Sequence, residues 1–357
     1  MAEDSGKTKI TQRDIARMTG VSQGIVSLVL RRAPMSERIS DDTKRRILQI
    51  AHRHNYPVSA GSFQPVKMRN IIGIIVKKET SQFFQDLITL LNDQLESLGY
   101  RCIVSRVDLE GPDPQLEKFL DQIISYNYAG MICIGHFSPR LPDLVPKKLE
   151  HYPNVVFLNM PRGVAQAAYV KIDFASGVAE AVQCLRETGR QRIALGVNDM
   201  ISDAAKGRFA GYCAGLLAAG LPMRPELCWV AEDHHLRAWE GDDLEPAIIA
   251  MADSMLKNYA PDAIIVANDQ WAVVLMRYLK KRGLRIPEDI AVVGYGNFEA
   301  YCTSCDPMLS SISHGNEAIA SALARTADDL ICGRTNLQAL AAAPVEIKTF
   351  LVRRESC

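Results

Sequence analysis

Cationic side chains, which can bind phosphate, are concentrated at the N-terminal end of this 357-residue sequence. Residues 1–63 contain 11 Lys and Arg against 6 Asp and Glu, whereas the remainder contains 30 against 35, so the whole chain has no net charge. A basic segment in a neutral chain predicts that only this segment meets an anionic polymer such as a nucleic acid. A solvated charged surface is the alternative interpretation.

Other reactive residue types form no pattern typical of catalysis. The nine cysteines are scattered, and several lie in apolar runs, as free thiols of a reducing cytoplasm do. Cys302 and Cys305 have redox-motif spacing but do not open a helix after a strand, as a thioredoxin-like motif would. The sequence shows no phosphate-binding glycine loop, nucleophile elbow or metal cluster, which favours a protein that is not an enzyme and needs no cofactor. It also shows no signal peptide and no membrane-length apolar run, so a cytoplasmic location is expected.

The basic segment begins with a pattern of two short helices and a tight turn. Thr11 and Asp14 can cap the first helix, Gly20 can leave the right-handed helical region, and Ser22 can cap the second helix. The buried faces are expected at Ile15, Ala16 and Met18 in the first helix and at Ile25, Val26, Val29 and Leu30 in the second. This pattern predicts a helix-turn-helix, whose second helix enters the major groove of DNA.

A third helix and a linker follow. A helix that starts at Ser40-Asp41-Asp42 and ends near Tyr56 is expected to turn Ile47, Ile50 and Ala51 inward, which completes a headpiece over residues 1–56. Residues 57–70 contain two prolines and a glycine and are interpreted as a hinge or linker.

From residue 71 the pattern changes to alternating strands and helices. Continuous apolar runs such as 71–76 and 290–294 are typical of strands buried on both faces. The alternation predicts parallel, doubly wound sheets, and the length of the chain predicts more than one core. We therefore expect two Rossmann-like lobes with a ligand cleft at the carboxyl ends of their strands.

Three blocks of this sequence resemble the lac/gal repressor (LacI) family of bacterial transcription factors. They are the head pattern around Gly20-Val21-Ser22, the segment 207–212 and the segments 266–269 and 283–295. The resemblance covers nearly the whole chain. It implies an α/β protein with a three-helix helix-turn-helix headpiece and a two-lobed core like that of periplasmic sugar-binding proteins. The implied core covers residues 71–357, with an N-lobe of about 71–160 plus 296–325 and a C-lobe of about 161–295 plus 326–357.

The function implied by the resemblance is that of a repressor. A small effector, a carbohydrate or a related metabolite, would bind between the lobes and control binding to a palindromic operator. A regulator gated by a protein corepressor, or by no small molecule, is the alternative. The resemblance also implies a homodimer in the bacterial cytoplasm, at the nucleoid. No leucine heptad follows the strand-like residues 345–352, so the appended tetramer-forming helix of some relatives is not expected.

The resemblance also assigns candidate DNA contacts. Gln23, Gly24 and Leu28 match positions that face base edges; glutamine can bridge N6 and N7 of adenine, whereas leucine offers only apolar contact. Core packing is the alternative for Leu28. Contacts to phosphate are expected from Thr11, Ser27 and Arg31, and further DNA contacts from Ser22, Tyr56 and Phe63. Phe63 could act as a minor-groove wedge, although the linker lacks the Pro-Asn pair and the leucine of the family, and a plain flexible linker is the alternative.

Effector contacts are assigned in the same way, to Phe83, Phe84, Asn159, Arg208, Asp269, Trp271 and His314. The phenylalanines and Trp271 could stack on a ring, Arg208 could bind hydroxyl or carboxylate groups, and Asp269 could accept two sugar hydroxyls. A helix-face core pair is the alternative for the phenylalanines, and a helix N-cap is the alternative for Asp269. Gly296 stands where the family usually has an aspartate, so a carboxylate is missing at the cleft.

Overall fold

The structure is a computed structural model and divides into two compact units, Met1–Met68 and Arg69–Cys357, called here the head and the core. The residues it describes are 11–30, 39–40, 43–44, 46–47, 50–51, 68–77, 81–107, 114–126, 128–134, 148–149, 152, 154–161, 163–231 and 244–357. In that part of the chain, no helix has the length and apolar character needed to cross a membrane.

The head contains the predicted helix-turn-helix. Helix α1 is Gln12–Thr19 and α2 is Gln23–Leu30. Thr11 and Asp14 form the predicted reciprocal capping box, and Gly20 adopts a left-handed conformation with φ 70°. The hydroxyl of Ser22 accepts a hydrogen bond from the backbone N–H of Ile25 at 3.3 Å and thereby caps α2.

The buried face of the head differs from the prediction at one position. Ile15 and Ala16 are buried as expected, but Met18 is 46% exposed and Thr19 is buried in its place. Thr19 can be buried because its hydroxyl donates to the carbonyl oxygen of Ile15 at 2.7 Å. Helical residues of the third helix complete the core through Ile47 and Ala51, which are fully buried. Residues 57–67 of the expected linker lie outside the described residues, and residues 68–70 belong to a strand.

The core alternates strands and helices as predicted. In chain order its elements are β1 Met68–Lys77, α3 Gln82–Ser97, β2 Arg101–Val107, α4 Pro114–Ser125, β3 Tyr128–Cys133, β4 Val155–Leu158, β5 Ala168–Asp173, α5 Ser176–Glu187, β6 Ile193–Val197, α6 Asp203–Ala218, β7 Cys228–Val230, α7 Leu244–Asn258, β8 Ala263–Val266, α8 Asp269–Lys281, β9 Ala291–Gly296, α9 Glu299–Cys302, β10 Ser310–Ser313, α10 Asn316–Ile331, α11 Leu337–Ala342, β11 Val345–Lys348 and β12 Phe350–Val352.

These strands form two six-stranded sheets, which define the two lobes. The N-lobe sheet has the order β11-β5-β4-β3-β1-β2 and the C-lobe sheet has the order β12-β10-β9-β8-β6-β7. Neighbouring strands pair in parallel in both lobes. In the N-lobe Ile71 of β1 lies beside Arg101 of β2, and in the C-lobe Ile193 of β6 lies beside Ala263 of β8. The exception is β12, which runs antiparallel to β10.

Both sheets are covered on two faces, which explains their continuous apolar runs. In β1, Ile74 and Val76 pack into one buried cluster and Ile75 into another. In the C-lobe, Ile265 of β8 faces the side of α5 and α6, whereas Ile264 faces the side of α7 and α8. This two-sided packing confirms the doubly wound architecture.

The expected division between the lobes is corrected at three places. Strands β5 and β11 pair within the N-lobe sheet, although residues 161–295 and 326–357 were assigned to the C-lobe. Strand β10 pairs within the C-lobe sheet, although residues 296–325 were assigned to the N-lobe. The described chain therefore passes between lobes at residues 174–175, 314–315 and 349. We call these passages the first, second and third crossovers.

Candidate functional site

The start of α2 presents the predicted base-reading residues. Gln23 and Gly24 are exposed, while Val26, Val29 and Leu30 anchor the opposite face in the head core. The side chain of Gln23 accepts a hydrogen bond from Nε of Arg13 at 3.4 Å, a contact that sequence reasoning missed. The helix thus offers an amide side chain to the outside next to a cation.

The other predicted DNA contacts have different surroundings. Ser22 and Thr11 already act as helix caps, and Ser27 is half-buried. Leu28 is half-buried and is not one of the described residues that form the head core. Its contact with DNA stays a prediction. Arg31, Tyr56 and Phe63 lie outside the described residues.

A group of aromatic rings lies where the two lobes meet. We call Phe83, Phe84, Phe174, Tyr295 and His314 the ring cluster. The imidazole of His314 lies 4.4 Å from the ring of Phe83, 4.8 Å from that of Tyr295 and 6.3 Å from that of Phe174, centroid to centroid. Phe83 and Phe84 are in edge contact at 4.9 Å.

The fold explains why these rings meet. Phe83 is the second residue of the helix that follows β1, Phe174 follows β5 and His314 follows β10, so each comes after the carboxyl end of a parallel strand. Phe174 and His314 belong to the first and second crossovers. Sequence reasoning named Phe83, Phe84 and His314 but missed Phe174 and Tyr295, whose strand-end positions were the available signal. Phe83 is only 8% exposed, so the core alternative also holds for its ring.

Arg208 is placed beside the ring cluster by close helix packing. A Cβ atom at Gly207 would lie 2.8 Å from Cβ of Phe174, and one at Gly211 would lie 2.2 Å from the carbonyl oxygen of Ala175. These glycines let α6 approach the first crossover. The guanidinium carbon of Arg208 then lies 4.1 Å from the centroid of the Tyr295 ring.

Asp269, the predicted acceptor of sugar hydroxyls, is used inside the C-lobe. It is fully buried, its Oδ2 accepts the backbone N–H of Phe298 at 2.8 Å, and its Oδ1 accepts the hydroxyl of Ser311. Burial raises the pKa of this carboxyl, opposed by these hydrogen bonds. The N-cap of α8 is Asn268, whose Oδ1 accepts the N–H of Trp271 at 2.8 Å. Both expectations for Asp269 are thus corrected, because its carboxylate ties strand β10 and the loop after β9 to the start of α8.

Trp271 and Asn159 are also placed differently from expectation. Trp271 is 3% exposed and packs edge-on to Trp229 on the α7/α8 face, whereas Tyr295 lies on the other face of the same sheet. Asn159 has φ 64° and its Oδ1 accepts the N–H of Ile172 at 2.9 Å. Trp271 therefore lies apart from the ring cluster, and Asn159 bridges the ends of β4 and β5.

The crossovers are joined by Thr349, which sequence reasoning missed. Its hydroxyl donates to the carbonyl oxygen of Asp173 at 2.8 Å and accepts the N–H of Gly177 at 2.9 Å. It is 2% exposed. The third crossover is therefore hydrogen-bonded to the residues on either side of the first crossover.

The redox-spaced cysteines do not form a reactive pair. All nine cysteines are free thiols. Burial raises the pKa of Cys302 to about 12, and Cys305 donates to the carbonyl oxygen of Tyr301 at 3.1 Å. Among the described residues no group of three or more His, Cys, Asp and Glu is arranged to hold a metal ion.

Comparison with known proteins accounts for both units. The family "Bacterial regulatory proteins, lacI family" matches residues 11–58, and the family "Periplasmic binding protein-like domain" matches residues 182–357. The chain thus carries a LacI-family helix-turn-helix domain followed by a periplasmic-binding-protein-like domain. A LacI-family relative, the HTH-type transcriptional regulator CelR of Thermobifida fusca, is 26% identical over 357 residues, which is 96% of each chain.

Solved structures share the fold. A CelR–cellobiose complex has a TM-score of 0.65 and 24% identity and covers 98% of this chain and 100% of its own. A lac repressor dimer bound to operator and the anti-inducer ONPF has a TM-score of 0.65 and 21% identity and covers 98% and 99%. The homologues are transcriptional regulators rather than enzymes.

Proposed function

We propose that this LacI-family protein is a DNA-binding repressor whose affinity for a palindromic operator is controlled by a small effector, a carbohydrate or related metabolite, bound at the ring cluster. The ring cluster carries the proposal, because it takes side chains from both lobes and from two of the crossovers. A ligand held there contacts both lobes, so it can favour one arrangement of them over another. The CelR–cellobiose complex supports a sugar-like ligand for this fold.

The head supports the DNA half of the proposal. Its three-helix core holds α2 with Gln23 and Gly24 exposed, and we assign base contacts to them and to Leu28. Thr11, Ser22, Ser27, Arg31, Tyr56 and Phe63 remain proposed contacts to the backbone or minor groove. Since the partner is bacterial DNA, we place the protein in the cytoplasm.

We also propose a homodimer, because a palindromic operator presents two half-sites. Exposed apolar side chains at the sheet edges support an interface: Ile103 and Val104 on β2 are 42% and 37% exposed, and Val230 on β7 is 40% exposed. Leu217 near the end of α6 is 83% exposed. Sedimentation of the full-length protein is expected to give a dimer, and a monomer alone would contradict this assembly.

The proposed function is tested by selecting DNA fragments with the purified full-length protein. A palindromic sequence is expected to be enriched, and fluorescence anisotropy should then show that a stabilising small molecule changes the Kd for that sequence. Selection without a palindrome would refute the DNA assignment. A palindrome whose Kd responds to no small molecule would favour gating by a protein corepressor.

A further inference from the structure

We infer that the effector is an organic anion that carries a ring, rather than a neutral sugar. This inference rests on the proposed function, since it names the chemical class of the ligand at the ring cluster. It follows from three properties of the described side chains there. An arginine has no anionic partner, the nearby carboxylates accept hydrogen bonds from the protein itself, and the surrounding side chains are aromatic.

Arg208 supplies positive charge without a matching acid. No carboxylate in the described part of the chain lies within ion-pair distance of it, and its Nη1 donates a hydrogen bond to Oδ1 of Asn198 at 3.5 Å. Its Nε is buried and has no hydrogen-bond partner among the described residues. A buried donor without an acceptor is costly, and a guanidinium binds a planar or tetrahedral anion through two parallel hydrogen bonds. The side chain is therefore matched to a carboxylate or phosphate.

The carboxylates near the strand ends are engaged by the protein itself. Asp269 is buried and accepts hydrogen bonds from two internal donors, and burial raises its pKa although these hydrogen bonds and the charge of Arg354 oppose the rise. Asp173 accepts two backbone N–H groups at the start of α5, and Asp199 accepts two before α6. Neutral sugars present many hydroxyl donors, and carboxylates are the strongest acceptors for them. The described residues at this edge thus favour a ligand that itself carries hydrogen-bond acceptors, such as the oxygens of an acidic group.

Gly296 and Phe298 add an apolar surface at the same edge. Gly296 has φ 129°, and a Cβ atom there would lie 2.5 Å from the ring of Phe298. The ring therefore occupies the space above residue 296, where any other side chain would begin. Phe298 is half-buried and packs against the same hydrophobic cluster as Tyr295.

The rings set the shape of the ligand. Phe84, Phe298 and Arg208 are half-buried, so they keep surface for contact, whereas His314 and Tyr295 behind them are buried. Aromatic rings stack on flat apolar faces, including the C–H face of a pyranose. A sugar acid, a sugar phosphate or a related ring with one acidic group fits this surface.

The test uses the full-length dimer and matched probes. Glucose and galactose are each compared with the corresponding uronate and 6-phosphate, at equal millimolar concentrations, by thermal shift and then by isothermal titration. At least one anion is expected to raise Tm while its neutral parent does not. The uronate and 6-phosphate arms distinguish the two sources of the negative charge. A neutral sugar that binds as tightly as its anions, or no shift with any anion, would overturn the inference.

Variants tie the binding to Arg208. Arg208→Met removes the charge and is expected to raise the Kd of the anion about 10- to 100-fold, the worth of a hydrogen bond to a charged group. Arg208→Lys keeps the charge but not the planar guanidinium, so its Kd for the anion should lie between those of the wild type and Arg208→Met. Arg186→Met makes the same change on the exposed side of α5 and should leave the anion Kd unchanged. Circular dichroism checks that each variant is folded, and an unchanged Kd in folded Arg208→Met would refute the inference.

Operator binding separates this inference from the proposed function. If a neutral sugar alone changes the Kd for the operator, the proposed function stands and the anionic class is wrong. If an anion binds in an Arg208-dependent way but leaves operator affinity unchanged, the anionic class stands and the proposed gating is wrong.

Discussion

The buried carboxylate of Asp269 is expected to be essential for the stability of the C-lobe rather than for contact with the effector. Its two oxygens accept the hydroxyl of Ser311 and the N–H of Phe298, and thereby join β10 and the loop after β9 to the start of α8. The substitution Asp269→Ala removes both acceptors at once. We expect a less stable protein in the absence of any ligand.

The size of the effect follows from the two donors that lose their acceptor. A buried donor without an acceptor costs about 1–3 kcal/mol, and removing a desolvated charge recovers part of this, so we expect a loss of about 2–4 kcal/mol. For a domain of this size that loss lowers Tm by about 5–15 °C. Asp269→Asn keeps one acceptor oxygen and should lose about half as much.

The assay is urea and thermal unfolding of the full-length protein, with Asp203→Ala as the matched control. Asp203 is the first residue of α6, as Asp269 is of α8, but it is exposed, so its removal should cost less than about 1 kcal/mol. Unchanged stability of Asp269→Ala, together with a selective loss of effector affinity, would refute this reasoning and return the carboxylate to the effector site.

The same carboxylate predicts a pH dependence with a defined sign. Burial raises the pKa of Asp269 above its ordinary value, so the folded state holds the proton more tightly than the unfolded state does. The stability that this group contributes is therefore present in acid and is lost as the pH rises through the folded-state pKa. The advantage of the wild type over Asp269→Asn should shrink between acidic and neutral pH; an advantage that grows would contradict the assignment.

Three further predictions test the helix packing, the DNA surface and the surface charges. Gly211→Ala would place a Cβ atom 2.2 Å from a backbone oxygen of the first crossover, so urea unfolding should show a loss of about 1–3 kcal/mol; wild-type stability would contradict the close packing. Gln23→Ala should relax preference at one base pair by about 1–3 kcal/mol, whereas Arg31→Ala should weaken binding to all sequences in competition assays; uniform losses in both would remove the assignment. Arg285 holds the pKa of Asp289 at about 2, so its stabilising contribution is lost as the pH falls from about 4 to about 2; Asp289→Asn should flatten the fall of Tm there, and an unchanged fall would count against the ion pair.

Sequence patterns predicted most of the elements because most of them are apolar and regularly spaced. The apolar run 71–76 lies within the strand Met68–Lys77, and the run 290–294 overlaps the strand Ala291–Gly296. Strand β10 was not predicted as a strand, since it reads Ser-Ser-Ile-Ser. Ser310 can be buried because it is hydrogen-bonded: its hydroxyl accepts the N–H of Arg354, and its own N–H donates to the hydroxyl of Ser356. These partners lie more than 40 residues from Ser310 in the sequence, so the local hydrophobic pattern cannot reveal them.

The missed lobe boundaries have the same origin. A crossover is defined by which sheet the next strand joins, and that depends on pairing between distant segments. Ser176 and Thr349, for example, meet across 173 residues, with the Ser176 hydroxyl donating to the carbonyl oxygen of Thr349 at 2.8 Å. Hydrophobic patterns give the order of strands along the chain but not their order in a sheet.

The electrostatics of the effector site were the least predictable feature, for a related reason. Sequence position suggested Arg208, His314 and Asp269 as effector contacts, and the structure places Arg208 and His314 beside the ring of Tyr295. Whether a carboxylate faces a ligand depends on whether the fold supplies it with internal donors, and for Asp269 those donors come from residues 298 and 311. The absence of a side chain at Gly296 could be seen in the sequence, but the ring of Phe298 that fills its space could not. The charge of the proposed effector site thus depends on tertiary contacts that engage its acids, and local sequence patterns do not show those contacts.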